Sequence, residues 1–317
     1  MHRTEGENND SGLFTDGPPG TAVEQNWLNA VQEEICNVIE YAGLTVETAV
    51  TDTRLQLYNA ILLFISGASL TGYIERPRFE RIDWTHIDIH PGIYRHCGSA
   101  DQMVKWDGAI RFEFGPLGSN PDSEGLLAGD VWYYLYLDDS AIVTAGTNTL
   151  TASEFVAVTT APTWSNTKHG WYNGNDRCIF AVKTYAALAA LEYFLHDGGE
   201  YVSYGACEND LALTDIDMVG ANVALSIPNF GAGTQAQCVF YTNYVAAGDA
   251  GYLYYSLKDA PGGTHHRVGW CGAGTTHSVC TDRVVVDSLL EITVNFQANS
   301  NCTAAVDTLG WYIPRGM

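Results

Sequence analysis

The chain is 317 residues long, with 46% hydrophobic and only 16% charged residues, and its 15 basic against 37 acidic side chains give a formal net charge of −22. That length allows two or three domains, each with its own core, and the apolar content excludes general disorder. So acidic a surface repels phosphate, which excludes nucleic-acid binding as a main function and disfavours docking on anionic lipid.

Glycine (32), tyrosine (18) and abundant threonine and valine favour strands joined by tight turns. The opening "MHRTEGENNDSGLF" has no apolar stretch of the export-signal kind. The longest apolar run, "AILLFISGA", is too short to cross a bilayer, so no membrane insertion is expected. Eight cysteines occur without a CxxC pair, and reduced thiols buried as small hydrophobes are expected.

Residues 1–20 are rich in Gly, Asn, Asp and Pro and read as an extended arm. In "NWLNAVQEEICNVIEYAGL" (26–44), Trp27, Val31, Ile35, Val38 and Ile39 fall on one stripe at helical spacing, with Leu28 beside it. Thr21 with Glu24, or Asn26, supplies the start and Gly43 the stop. Thr53 with Gln56 opens a second helix carrying Leu55, Tyr58, Ile61, Leu62 and Ile65 on its apolar stripe. Two such short helices cannot bury their faces alone, so they must pack on each other, on the β part or on another chain.

From Thr71 onward the pattern is alternation, in "DVWYYLYLDD" (130–139), "RCIFAVKT" (177–184) and a hairpin through Asp197-Gly198-Gly199. A polar stretch, "CENDLALTDID", precedes a last series of strands spaced about every ten residues, the rhythm of a β-sandwich or jelly roll. The expected fold is therefore α+β and mainly β. A helical region (1–70) precedes two antiparallel, jelly-roll-like β-sandwich domains, at 71–208 and 209–317.

The stretch "FTDGPPGTAVEQNWLNAVQEEICNVIEYAGLTVE", with "DTRLQLYNAI" after it, resembles the N-terminal segment of bacteriophage tail-fibre and related virion appendage proteins. The run Trp27-Leu28-Asn29-Ala30-Val31-Gln32-Glu33-Glu34-Ile35 carries most of the likeness, while Cys36 and Pro18-Pro19 depart from the pattern. The resemblance implies a protein made in the host cytoplasm and located on the virion. It also implies an N-terminus that attaches to other virion proteins, outward β domains and self-association, expected as a homotrimer. An adaptor, collar or head-decoration protein binding only virion neighbours is the alternative, and a glycan-cleaving tailspike a third.

Host-surface glycan is the expected ligand of the β part. Trp164, Trp171, Tyr172, Asn173, Asn175 and Asp176, in the turn-rich "TWSNTKHGWYNGNDR", combine aromatic faces with fixed polar groups. The competing reading places Trp171 and Tyr172 in the core and makes Asn173-Gly174 a hairpin turn. No catalytic residues are assigned, because the candidate carboxylates sit in turn contexts and no nucleotide or hydrolase motif occurs. No cofactor is expected. His265, His266, Cys271, His277 and Cys280 have ligand chemistry for a metal but match no standard zinc spacing. His86, Asp88 and His90 would share one face of a strand and read better as a solvated edge.

Overall fold

The computed structural model describes residues 25–41, 56–61, 73–99, 101–114, 127–186, 190–214, 218–244, 251–258, 266–271, 277–298 and 302–317. The chain divides into two compact units, Met1–Ser69 and Leu70–Met317. In the first, α1 runs from Gln25 to Tyr41 and a second helical stretch, α2, covers 56–61. The side chains of Trp27 and Leu28 lie outside the described residues. Of the rest of the expected stripe, Ile39 is buried and Val31 half-buried, whereas Ile35 and Val38 stay exposed, as do Leu57, Tyr58 and Ile61 around α2.

The second unit is mainly β, built from antiparallel sheets. Its first part holds β1 (Tyr73–Glu75), β2 (Phe79–Arg81), β3 (His86–Ile89), β4 (Gly92–Cys97), β5 (Asp101–Trp106) and β6 (Ile110–Glu113). These form two small sheets, ordered β1-β4-β5 and β2-β3-β6. They pack with a five-stranded sheet of β7 (Trp132–Leu137), β8 (Phe155–Val158), β9 (Thr163–Ser165), β10 (Gly170–Asn173) and β11 (Asp176–Lys183), ordered β8-β7-β11-β10-β9. The near-continuous apolar run of β7, "WYYLYL", matches a central strand covered on both sides. A short helix, α3 (Asp139–Ala145), follows it; Asp138 caps its start by accepting from the N–H groups of Ser140 and Ala141, and Gly146 closes it at φ 60°.

The last eight strands are β13 (Tyr201–Thr214), β14 (Met218–Ala224), β15 (Gln235–Tyr244), β16 (Gly251–Leu257), β17 (His266–Cys271), β18 (His277–Val285), β19 (Glu291–Ala298) and β20 (Cys302–Tyr312). They pair antiparallel as β13 with β20, β14 with β19, β15 with β18 and β16 with β17. That is one long hairpin of paired strands. Rolled up, it closes through β15 with β20 and β16 with β19, giving sheets ordered β13-β20-β15-β18 and β14-β19-β16-β17, a jelly roll. The sheets meet closely: Phe240 and Tyr255 stack at 4.8 Å between them, and a Cβ on Gly269 would come within 2.8 Å of the Thr242 methyl.

The expected boundary at 208/209 falls inside β13, and the two β regions are not separate units. One continuous hydrophobic core spans them. Trp311 of β20 meets Trp132 of β7 at 6.2 Å and Phe180 of β11 at 5.9 Å, and β12 (Phe194–His196) extends the jelly-roll sheet beside β13. The described part of that polar stretch, Cys207 to Thr214, lies within β13 rather than in a linker.

An ionic cluster sits at this junction. Lys183 Nζ lies 2.8 Å from Glu208, 3.4 Å from Asp130 and 3.7 Å from Glu192. Burial raises the Glu192 carboxyl to about 7, against the pull of the lysine. The folded chain therefore keeps this proton after the unfolded chain has released it, so stability falls as pH climbs from about 4.5 to 7. Glu192→Gln should abolish this component, gaining on the parent by on the order of 1–3 kcal/mol across that window. Melting curves of both proteins at either end of the window check it.

Candidate functional site

The edge strands β2 and β12 belong to different sheets and lie side by side, with a groove between them. Their inward side chains share one anchor, the buried Phe180 ring. Phe79 stacks on it at 4.0 Å, Phe194 meets it at 5.3 Å and His196 at 5.6 Å. No backbone ladder joins the two strands; His196 does so instead. Its Nδ1 accepts from the Phe79 N–H at 3.1 Å, which leaves Nε2 as the donor to the Gly199 carbonyl at 3.1 Å. Burial depresses its basicity, so the imidazole is neutral and this tautomer is stable.

Above that floor run two connected hollows. One, about 350 Å³, is walled by Arg78, Leu195, His196, Asp197, Tyr201 and Ser203. The other, about 120 Å³, continues past Arg78, Glu80 and Leu195 to Arg81 and Tyr193. At one end Tyr201 and Tyr312 lie 5.1 Å apart, and the Tyr312 hydroxyl donates to Gln237 Oε1 at 2.7 Å. Arg78 pairs with Glu80, and His90 joins them at 2.8 Å from Arg78 and 3.0 Å from Glu80.

The other end is aromatic and cationic. Trp84 sits on the β2–β3 turn and is 56% exposed, and Tyr193 is 45% exposed. Asp83 fixes the turn by accepting from the N–H groups of Thr85 and His86 and from the His86 ring. Partial burial opposes its ionisation, yet those donors outweigh it and hold the carboxyl at about 2. Tyr193 packs onto Gly205, where an added Cβ would approach its ring to 2.4 Å.

The glycan set expected from sequence does not form one surface. Trp164 and Trp171 face each other across β9 and β10, their rings 5.6 Å apart. Trp164 is partly exposed, but Trp171 packs on Phe230 at 5.4 Å and donates through Nε1 to the Arg315 carbonyl at 3.0 Å. Tyr172 points to the opposite side and is buried, its hydroxyl receiving hydrogen bonds from Cys97 N and Arg177, each at 3.1 Å. Asn173 pairs with Asp176 at the ends of the β10–β11 hairpin, whose turn uses Gly174 at φ 63°. Asn175 is spent on Lys168 and Ser99, and Asp176 accepts from the Asp139 N–H. Burial raises the Asp176 carboxyl, helped by Asp138 and Asp139. The core-and-turn reading of Tyr172 and of the Asn-Gly pair is the one this geometry follows.

Among the described residues no group of three ligating side chains is positioned for a metal. His265 lies outside them, as does the Cys271 side chain; His266 stacks on Tyr255 at 5.1 Å, and Cys280 and His277 sit on β18. His86, Asp88 and His90 are each drawn into separate pairs, with Asp83, Arg111 and Glu80. A different pair, His96 Nε2 to Asp139 Oδ1 at 2.9 Å, is buried beneath the surface.

The β2–β12 groove was missed by sequence reasoning, though a signal exists. "ERPRFERIDW" (75–84) places three arginines of a base-poor chain beside a tryptophan. No family model and no curated protein matches the chain. Among solved structures, it is similar at 7% identity and a TM-score of 0.20 to a Bacillus thuringiensis Cry1Da tryptic core variant, over 77% of this chain and 54% of that one. The chain thus spans about half of that structure, and a likeness this weak bears on neither fold nor function.

Trp171 is therefore expected to behave as a structural residue. Trp171→Ala should cost about 3 kcal/mol, by emptying the space against Phe230 and releasing the Arg315 carbonyl, and should lower the melting temperature accordingly. Denaturant unfolding of the variant measures this directly.

Proposed function

We propose that the chain is a virion appendage subunit, fibre-like and self-associating. Its N-terminal unit attaches to the particle and its β unit binds host-surface glycan without cleaving it. The observation that carries this reading is the open apolar face of the helical unit. Ile35, Val38, Leu57, Tyr58 and Ile61 are exposed on a segment too small to support that much apolar surface by itself. Such a face calls for a protein partner, either further copies of the chain or the particle.

Two further observations support the β unit as the binding part. A jelly roll is an architecture of viral capsid and lectin domains. The β2–β12 groove has Tyr201 and Tyr193 toward its ends, the Ser203 hydroxyl along it and arginines within it, which suits sugar rings bearing directional hydroxyls. Of its acids, Glu80 pairs with Arg78 and His90, and Asp197 accepts from the Gly199 N–H in a turn. Among the described residues no helix is long and apolar enough to cross a membrane.

Ile35→Glu combined with Ile61→Glu should abolish incorporation into particles while leaving the melting of the β unit within about 0.5 kcal/mol of the parent. Quantitative blotting of purified particles checks incorporation; normal incorporation of the double variant would sink the anchor role. Native mass spectrometry of the full chain at micromolar concentration should show a trimer, and a clean monomer would count against self-association.

A further inference from the structure

We infer that the Arg81 end of the groove is a subsite for a negatively charged sugar, with Arg81 gripping the acid group and Trp84 stacking on the ring. This rests on the glycan-binding reading above and narrows its ligand class.

Arg81 Nε donates to the Leu191 carbonyl at 3.2 Å, which fixes the plane and direction of the guanidinium. Its Cζ lies 5.3 Å from the centre of the Trp84 ring and 5.7 Å from that of Tyr193, so two aromatic faces hold it in place. What it lacks is a counter-ion. The neighbouring acids are all engaged elsewhere: Glu80 with Arg78 and His90, Asp83 with His86, and Glu192 with Lys183. Among the described residues no carboxylate forms an ion pair with Arg81.

A held guanidinium with donors to spare matches a planar carboxylate in two parallel hydrogen bonds, and accepts a sulfate in a similar way. The exposed indole of Trp84 is anchored on a turn fixed by Asp83, so it offers a rigid apolar face beside that fork. A ring with one acid substituent uses both features, and a neutral ring uses one. Local recognition has to be strong here, because the net charge of −22 repels polyanions at longer range.

The test titrates the full-length protein calorimetrically with short oligogalacturonates, short heparin-derived oligosaccharides and neutral dextran-derived oligosaccharides. Arg81→Lys keeps the charge and removes the fork; Trp84→Ala removes the stacking face at an exposed position. Acidic sugars should bind at least about tenfold more tightly than neutral ones, and each variant should lose about tenfold or more. Preference for galacturonate identifies a carboxylate ligand and preference for the heparin fragments a sulfate, and either supports the subsite. Equal binding of neutral sugars, or unchanged affinity in both variants, overturns it while leaving glycan binding intact. If none of the three sugars binds, the glycan reading itself falls. Trp84→Ala remains informative even if Arg81→Lys fails to fold.

Discussion

Phe180 is the side chain on which the β2–β12 groove depends. It lies in the middle of β11, fully buried, and touches elements far apart in sequence: Phe79 of β2, Phe194 and His196 of β12, and Trp311 of β20. Each contact is a ring against a ring, so each carries area and a preferred geometry together. Because β2 and β12 are edges of different sheets, main-chain pairing does not set their separation; this ring cluster does. The groove above them has its width because its floor is aromatic and close-packed.

The same logic joins the jelly roll to the sheets before it. Trp311 contacts Trp132, Phe180 and Phe230, and Phe230 in turn meets Tyr134 and Trp171. Polar ties reinforce the seam. Trp171, Arg177 and Arg76 donate to the carbonyls of Arg315, Gly316 and Met317 in turn, so three side chains from earlier in the chain hold the segment after β20. Arg177 is fully buried and also donates to the Arg95 carbonyl, its charge lying 5.6 Å from the Tyr94 ring and 5.5 Å from that of Tyr172. A buried cation is tolerable where several acceptors replace its water, and removing them would expose the cost. One core, rather than two joined by a linker, is the consequence.

Alternation and turn chemistry made the strands legible, and the periodicity of Val31, Ile35, Val38 and Ile39 made α1 legible. The rhythm of about ten residues pointed correctly to a jelly roll, because paired strands of similar length leave that spacing whichever sheet they join. Sheet membership was not legible. β13 runs through a polar stretch read as a boundary, since alternate positions such as Cys207 and Asn209 are exposed while Val202 faces the core. The Trp164–Asp176 stretch misled for a related reason. Alternate residues of one hairpin point to opposite sides, so Trp171 and Tyr172, adjacent in sequence, cannot serve the same surface. The groove was invisible because its walls, near residues 80 and 195, are far apart in sequence and meet through the Phe180 ring and the His196 hydrogen bond to Phe79. Its one local trace was the arginine cluster beside Trp84.

That cluster acquires meaning from the charge of the whole chain. With 15 basic residues against 37 acidic ones, acids are plentiful, and Arg78, Arg95 and Arg111 pair with Glu80, Asp101 and Asp88 while Arg76 and Arg177 are held by main-chain carbonyls. An arginine left without one in such surroundings is conspicuous, since an acid at any neighbouring position would satisfy it. Here the neighbouring acids are diverted instead: His86 draws Asp83 aside, His90 joins Arg78 on Glu80, and Lys183 engages Glu192. Three separate pairings thus keep one guanidinium open between two aromatic rings. Simple stability would favour closing it with a salt bridge, though an exposed one is worth little, on the order of 0–1 kcal/mol. The stability forgone is therefore small, whereas an incoming acid group gains a preorganised, oriented fork without first displacing a competitor.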